Sequence, residues 1–226
     1  MGIIKLADIT KKYRNNLLYK NINLSVEKGE TIGIIGANGS GKSVLFKLIT
    51  GLEQPDSGEV IVNNDRIGID RDFPDNVGIL VNQPGYIEYY SGFKNLKLLA
   101  GIKNIINDED IKKYMRRVGL DPTDKTMVKN YSTGMKQKLG IAQAIMENQE
   151  IILLDEPFNA LDFQTNRDIM NLLYTLKSEG KTLILTSHQH EYLDKICSKM
   201  YIIANNQLTY LDDQAKKAYF EYNTLS

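Results

Sequence analysis

Nine consecutive residues, Gly36, Ala37, Asn38, Gly39, Ser40, Gly41, Lys42, Ser43 and Val44, bring together the side chains and backbone freedom needed to hold a polyphosphate. Glycines let backbone N–H groups turn inward around an oxyanion. Lys42 offers a compact positive charge to β- and γ-phosphates, and the Ser43 hydroxyl is a hard oxygen ligand for Mg2+. Gly36 to Ser43 fits the pattern G-x-x-x-x-G-K-[S/T]. Its surroundings fit as well. An apolar run, Thr31–Ile35, precedes it, and Val44, Leu45, Leu48 and Ile49 follow at helical spacing. A helix starting there aims its positive dipole end at the bound phosphates. The sequence has no Asn-Lys-x-Asp run to read guanine, so a GTPase is not expected.

A second cluster is acidic. Ile151-Ile-Leu-Leu-Asp155-Glu156-Pro157 reads as a buried strand ending in two carboxylates. Ligands of open α/β sheets sit beyond the carboxyl ends of the strands. Asp155 is therefore placed to hold Mg2+, directly or through water, and Glu156 to polarise an attacking water as general base. Alone, Asp-Glu-Pro would read as a solvated acidic turn; beside a phosphate loop it reads as chemistry.

The elements that must position these groups follow an α/β rhythm. β-type segments Ile3–Ile9 and Ile22–Val26 are separated by a polar turn from Lys11 to Asn16, and Lys28-Gly29-Glu30 punctuates the next pair as a hairpin would. Gly51 ends the helix after the phosphate loop, and strands are expected at Val60–Val62 and Val77–Val81. From Pro84 to Gln149 the period becomes helical, with Leu96, Leu98 and Leu99, then Ile111, Met115 and Val118, then Leu139, Ala142, Ile145 and Met146. The rhythm then returns as strand Ile151–Leu154, helix Phe163–Ser178 with Ile169, Leu172, Leu173 and Leu176 inward, strand Thr182–Thr186, and a short tail with closing strands Met200–Ala204 and Leu208–Tyr210. The fold class expected is α/β. Residues 1–83 and 150–226 form a nucleotide-binding core, and 84–149 form a helical insertion.

Composition narrows the setting. The chain has 226 residues, 42% of them hydrophobic, which suffices for a sizeable core. Lys plus Arg equals Asp plus Glu, 28 against 28, whereas nucleic-acid binders carry a basic excess, so no nucleic-acid partner is expected. The single cysteine, Cys197, reads as a small packed residue in a reducing compartment. No stretch approaches the roughly 18 apolar residues of a membrane helix, and the N-terminus lacks signal-peptide organisation. Work at a membrane would require a partner to hold the chain there.

Further motifs carry a family resemblance. Tyr131-Ser-Thr-Gly-Met-Lys-Gln137 opens a helix and resembles the signature of ABC-type ATPases, the nucleotide-binding subunits of ABC transporters. Gln83 resembles that family's Q-loop glutamine, Asn159-Ala-Leu-Asp162 its D-loop, Thr186-Ser187-His188 its switch histidine, and Tyr13 the aromatic that stacks on adenine. The motifs stand in the family's order, and the resemblance covers essentially the whole chain. It implies a P-loop NTPase core, with a mixed, mainly parallel sheet and an antiparallel β subdomain, carrying an inserted helical subdomain. It also implies a head-to-tail pair, homodimeric or with a related ATPase subunit. There Lys42 and Glu156 of one copy would share ATP with Ser132 and Gly134 of the other, and Asp162 would belong to the nucleotide-binding set. Gln83 would approach Mg2+ and the water, and His188 the γ-phosphate. Polytopic membrane permease subunits would hold the pair at the inner, cytoplasmic face of the membrane.

Thr133 and Met135 depart from the usual Leu-Ser-Gly-Gly-Gln, while Ser132 and Gly134 remain. The resulting Ser-x-Gly-Met-x-Gln is similar to the version in ABC-2-type exporter ATPases, so export is expected. The alternatives are a soluble ABC ATPase acting on ribosomes or DNA and an import motor. The first typically carries two cassettes or long coiled-coil insertions, and the second often adds a C-terminal domain beyond the switch histidine. His190 reads as a solvated helix-cap residue, and Lys136 and Lys138 as solvated neighbours of the signature. Tyr86, Tyr89 and Tyr90 suit either a membrane partner or the core of the insertion.

Overall fold

The computed structural model describes residues 2–14, 16–81, 85–188 and 190–224. In chain order come β1 (Ile4–Tyr13), β2 (Asn16–Val26), β3 (Thr31–Gly36), α1 (Lys42–Ile49), β4 (Ser57–Val62), β5 (Asp65–Arg66) and β6 (Val77–Leu80). Helices α2 (Gly92–Lys103), α3 (Asp108–Arg117) and α4 (Thr133–Ile145) follow, with a short 3-10 turn at Val128–Asn130. The chain continues through β7 (Ile151–Leu154), α5 (Phe163–Ser178), β8 (Thr182–Thr186), α6 (His190–Ile196), β9 (Lys199–Ala204), β10 (Gln207–Leu211) and α7 (Asp213–Thr224).

Two sheets result. The antiparallel one has the order β2-β1-β4-β5, and the larger one β10-β9-β3-β8-β7-β6. In the larger sheet β9, β3, β8, β7 and β6 run parallel, and β10 is antiparallel to β9. Parallel strands covered on both faces must be apolar throughout. Thr31 to Gly36, Ile151 to Leu154 and Thr182 to Thr186 are buried without a break. Their side chains alternate between two cores. Ile151, Leu153 and Ile184 join Ile32 and Ile34 against α1 and the antiparallel sheet. Ile152, Leu154, Leu183 and Leu185 face the core built with α4, α5 and α6. Burying each such side chain is worth about 2 kcal/mol, which holds the carboxyl ends of β3, β7 and β8 in one row.

The helical stretch 84–149 contains α2, α3 and α4, each opened by a capping side chain. Ser91 accepts from the Lys94 amide, Asn107 forms a capping box with Asp110, and Ser132 accepts from the Met135 amide. Helix α4 packs on β6 and β7, so the last part of that stretch lies against the core sheet.

Four expectations need correction. Lys28-Gly29-Glu30 closes no hairpin: β2 pairs with β1, while β3 lies between β8 and β9 in the other sheet. The fully buried β3 is covered on both faces, which the half-exposed antiparallel sheet does not give. The polar turn expected from Lys11 to Asn16 is tighter, because β1 runs on to Tyr13 and pairs Lys12 with Leu17 and Tyr13 with Asn16. Backbone pairing continues there although the side chains face water, and the Lys12 amide donates to Asp56 Oδ2 at 2.6 Å. The tail holds two helices, α6 and α7, besides its strands; α6 is too short to show a helical period. Lys138 is not solvated but pairs with Asp168 at 2.8 Å.

Candidate functional site

Strand β3 delivers the phosphate loop. Gly36 has φ 154°, and a Cβ there would lie 2.6 Å from Ser40 Oγ and 2.8 Å from the Ile203 carbonyl. Gly41, at φ 110°, precedes α1, and a Cβ there would lie 2.6 Å from the Tyr19 hydroxyl oxygen. Tyr19 is fully buried, and its hydroxyl donates to the Gly41 carbonyl, which also accepts from the amides of Val44 at 2.7 Å and Leu45 at 3.0 Å. The phenol thus fixes the first turn of α1 under the loop. The short motif carried no sign of this residue, which lies 22 positions upstream of Gly41.

Lys42 is 7% exposed. Its ammonium donates to the carbonyls of Gly36 at 2.8 Å and Ala37 at 3.3 Å, and lies 3.9 Å from Glu156 Oε1. Burial lowers its pKa, and the nearby carboxylates of Glu156 and Asp155 oppose that shift. The Ser43 hydroxyl donates to Asp155 Oδ2, and Thr186 donates to Asp155 Oδ1 at 2.6 Å. The Ser43 and Asp155 oxygens therefore converge at one spot, and both are hard donors of the type Mg2+ prefers. Among the described residues no cluster of three or more His, Cys, Asp or Glu forms a metal cage.

Beyond β7 the backbone turns sharply, with Glu156 at φ 51°. Its amide donates to Thr186 Oγ1 at 2.8 Å. One buried hydroxyl thus steadies both acidic residues, donating to the first and accepting from the backbone of the second. Glu156 Oε2 accepts from the His188 amide at 2.9 Å, and Oε1 lies 3.1 Å from His188 Nε2. Burial raises the Glu156 pKa, and the Asp155 charge adds to this; the His188 amide, the His188 imidazole and Lys42 oppose it. Gln137 of α4 reaches the Glu156 carbonyl at 3.5 Å.

These groups line one cleft of about 760 Å³, at the carboxyl ends of β3, β7 and β8. Tyr13, Asn38, Gly39, Gly41, Lys42, Ser43, Val44, Asp155, Glu156 and His188 border it, with Thr133 and Gln137 from the start of α4 and Asn159 and Ala160 beyond the acidic turn. Tyr13 stands at the rim, 42% exposed, with its hydroxyl donating to Glu53. Burial, then the bond to Glu53, pushes that hydroxyl up to about 12, so the ring stays a neutral phenol. Glu53 was not anticipated; it also lies 3.4 Å from Lys11 and 3.6 Å from Lys47.

Ser132, Gly134 and Asp162 do not border this cleft. Ser132 is an exposed N-cap of α4, and Asp162 caps α5, accepting from the Thr165 amide at 2.8 Å and the Thr165 hydroxyl at 2.7 Å. The bond from the Thr165 amide is the first cause that lowers the Asp162 pKa. Thr165 also faces Gly134, whose added Cβ would lie 3.1 Å from the threonine hydroxyl oxygen. Ser132, Gly134 and Asp162 therefore share one patch outside the cleft, while Thr133 of the same helix start borders it. Gln83 lies outside the described residues. His190, expected to be solvated, is half-buried against the Tyr219 ring at 5.2 Å, and burial lowers its pKa. Tyr86 is half-buried, with its hydroxyl on the Lys136 carbonyl at 2.9 Å, whereas Tyr89 is 68% exposed.

The 36–44 loop, the acidic turn and His188 thus meet in one cleft, and the family model for "ABC transporter" matches residues 19–159, a stretch that includes the loop, the start of α4 and the acidic turn. The chain belongs to the ABC transporter family. It is 38% identical over 195 residues to the uncharacterized ABC transporter ATP-binding protein YybJ of Bacillus subtilis, covering 86% of this chain and 89% of that one. It is 32% identical over 186 residues to the lantibiotic transport ATP-binding protein SrtF of Streptococcus pyogenes, covering 82% and 80%. It is 32% identical over 209 residues to the bacitracin transport ATP-binding protein BcrA of Enterococcus faecalis, covering 91% and 68%. Among solved structures, a dimeric ATP-binding cassette in a post-hydrolysis state with ADP and Pi superposes with TM-score 0.81 at 26% identity, covering 91% of this chain and 96% of that one. A nucleotide-free cassette from an ABC transporter shares the fold at TM-score 0.82 and 22% identity, covering 98% and 96%. The chain is an ABC transporter ATPase: its ATP-binding cassette is the fold that the core and helices build. Among the described residues no helix is long and apolar enough to cross a membrane.

Proposed function

We propose that this cassette powers export through partner membrane permeases, and that it hydrolyses ATP in a site completed by a second cassette. The observation that carries the reading is the convergence of Lys42, the Ser43–Asp155 pair and the Glu156–His188 pair in one cleft. Lys42 would leave the carbonyls of Gly36 and Ala37 for the phosphates of ATP. The amides from Gly36 to Val44 would cradle those phosphates, and Tyr13 would stack on adenine. Mg2+ at Ser43 and Asp155, with Gln83 nearby, would neutralise phosphate charge.

Glu156, whose pKa burial raises, is suited to take a proton from the attacking water as general base. His188 would hold the Glu156 carboxylate on one side and face the γ-phosphate on the other. The exposed patch of Ser132, Gly134 and Asp162 would face the γ-phosphate of a partner cassette, where the dipole of α4 stabilises developing charge. The helical unit 84–149 would pass closure of the pair to the permeases, at the inner face of the membrane. Relatives named for lantibiotic and bacitracin transport, and the Ser-x-Gly-Met-x-Gln signature, support export.

The test is Glu156→Gln. The variant should bind ATP, lose most turnover and accumulate ATP-bound dimers by size-exclusion chromatography. Normal turnover would reject Glu156 as the base. Copurification of ribosomes or DNA in place of a polytopic membrane protein would reject the transport role.

A further inference from the structure

Two aromatic contacts lie just behind the reacting cleft. Phe158, two positions past Glu156, is fully buried and stacks on Tyr192 with ring centroids 4.5 Å apart and planes 25° apart. Tyr192 belongs to α6, four positions after His188 in the chain. On α6 as well, His190 meets Tyr219 of α7 edge-on at 5.2 Å and 69°, and Asp194 pairs with Lys216 of α7. The far end of α6 is anchored in the core. Leu193 and Ile196 are fully buried, Tyr174 of α5 donates to the Lys195 carbonyl at 3.2 Å, and Lys177 donates to the Ile196 carbonyl at 2.6 Å.

The two reacting side chains come from different strands. Glu156 follows β7 on a turn with positive φ at residues 156 and 160, and His188 follows β8. Their 3.1 Å approach therefore depends on how two loops sit against each other. The Phe158–Tyr192 stack joins the turn after β7 to α6 without passing through the carboxylate or the imidazole. Helix α7 grips α6 beside that stack.

We propose that α6 is a lever that sets the Glu156–His188 pair, held by Phe158 through Tyr192 and by α7 through Tyr219 and Lys216. Tyr192 and Tyr219 are then positioning residues for hydrolysis, and the docking of α7 tunes turnover without touching nucleotide. The inference rests on the roles proposed above for Glu156 and His188.

The experiment compares steady-state ATPase kinetics, ATP affinity and thermal melts of the full chain with those of Tyr192→Ala, Tyr192→Phe, Tyr219→Ala, Tyr219→Phe and Glu156→Gln. Loss of one ring contact should lower kcat roughly three- to tenfold in each alanine variant, the size of effect a stacked pair supplies. KM and ATP affinity should stay within about twofold, since neither ring faces the phosphate loop. Both phenylalanine variants keep the ring and should restore kcat. A folded Tyr219→Ala with wild-type kcat overturns the lever, as does a Tyr192→Phe that fails as badly as Tyr192→Ala. If Tyr192→Ala does not fold, the half-buried Tyr219 decides the matter. Normal turnover in Glu156→Gln would remove the roles on which the lever rests; an inactive Glu156→Gln beside an unaffected Tyr219→Ala removes the lever alone.

Discussion

Gly41→Ala should be among the most damaging single-methyl changes in this protein, for two separable reasons. The first is backbone strain: φ is 110°, outside the range an L side chain adopts comfortably. Holding a residue in such a region costs about 1–3 kcal/mol. The second is steric. The new Cβ would lie 2.6 Å from the Tyr19 hydroxyl oxygen and 2.9 Å from two of its ring carbons. Tyr19 is fully buried and cannot swing away, so the overpacking costs a further ~1–3 kcal/mol. The sum, about 4 kcal/mol, is a large part of the stability of an ordinary domain. Because the strain sits in the phosphate loop, ATP affinity should fall on the order of a hundredfold in whatever fraction remains folded.

A double-mutant cycle separates the two causes. Tyr19→Leu removes the colliding ring and leaves φ unchanged. In urea denaturation, Gly41→Ala combined with Tyr19→Leu should cost less than the sum of the single variants by about 1–3 kcal/mol, the steric part. Nucleotide affinity by fluorescence titration should recover in parallel. Costs that add to within about 0.5 kcal/mol would refute the claim that Gly41 is required by the tyrosine beneath it.

Three further outcomes follow from the same site. The raised pKa of Glu156 means that the folded protein holds this proton more tightly than the unfolded chain. Its contribution to stability is greatest in acid and declines as pH rises from the unfolded carboxylate range, near ~4.3, through the raised folded value. Urea midpoints measured against pH should therefore fall for wild type relative to Glu156→Gln across that window, and a relative rise would contradict the assignment. Thr186→Val keeps the shape of the side chain but removes the donor to Asp155 and the acceptor for the Glu156 amide. It should cost about 2 kcal/mol by denaturation and lower kcat as the acidic turn loosens, and an unchanged midpoint would show that the hydroxyl is dispensable. Tyr13→Ala should raise the KM for ATP more than it lowers kcat, as loss of a stacking surface does, and an unchanged KM removes Tyr13 from the adenine site.

The sequence alone determined the parts whose chemistry is local. A phosphate loop is a run of backbone amides with one lysine and one hydroxyl, so its residues must be adjacent and a short pattern reveals them. The same holds for Asp155 and Glu156 at the end of an apolar strand, and for the strands Ile151–Leu154 and Thr182–Thr186, whose apolar centres mark elements that are buried without a break. Tertiary structure decided what depends on neighbours far along the chain. It placed β3 between β8 and β9 instead of beside β2, because a strand with an Ile-rich centre needs two covered faces. It made Tyr19 the floor of the phosphate loop and Thr186 the hydroxyl shared by both acidic residues. It set Ser132, Gly134 and Asp162 outside the cleft that Lys42 and Glu156 line. A hydrogen bond or a ring contact has a range of a few ångströms, and chain spacing does not encode which distant residues fall within it. Packing does, and so the motifs were legible in advance while their supports were not.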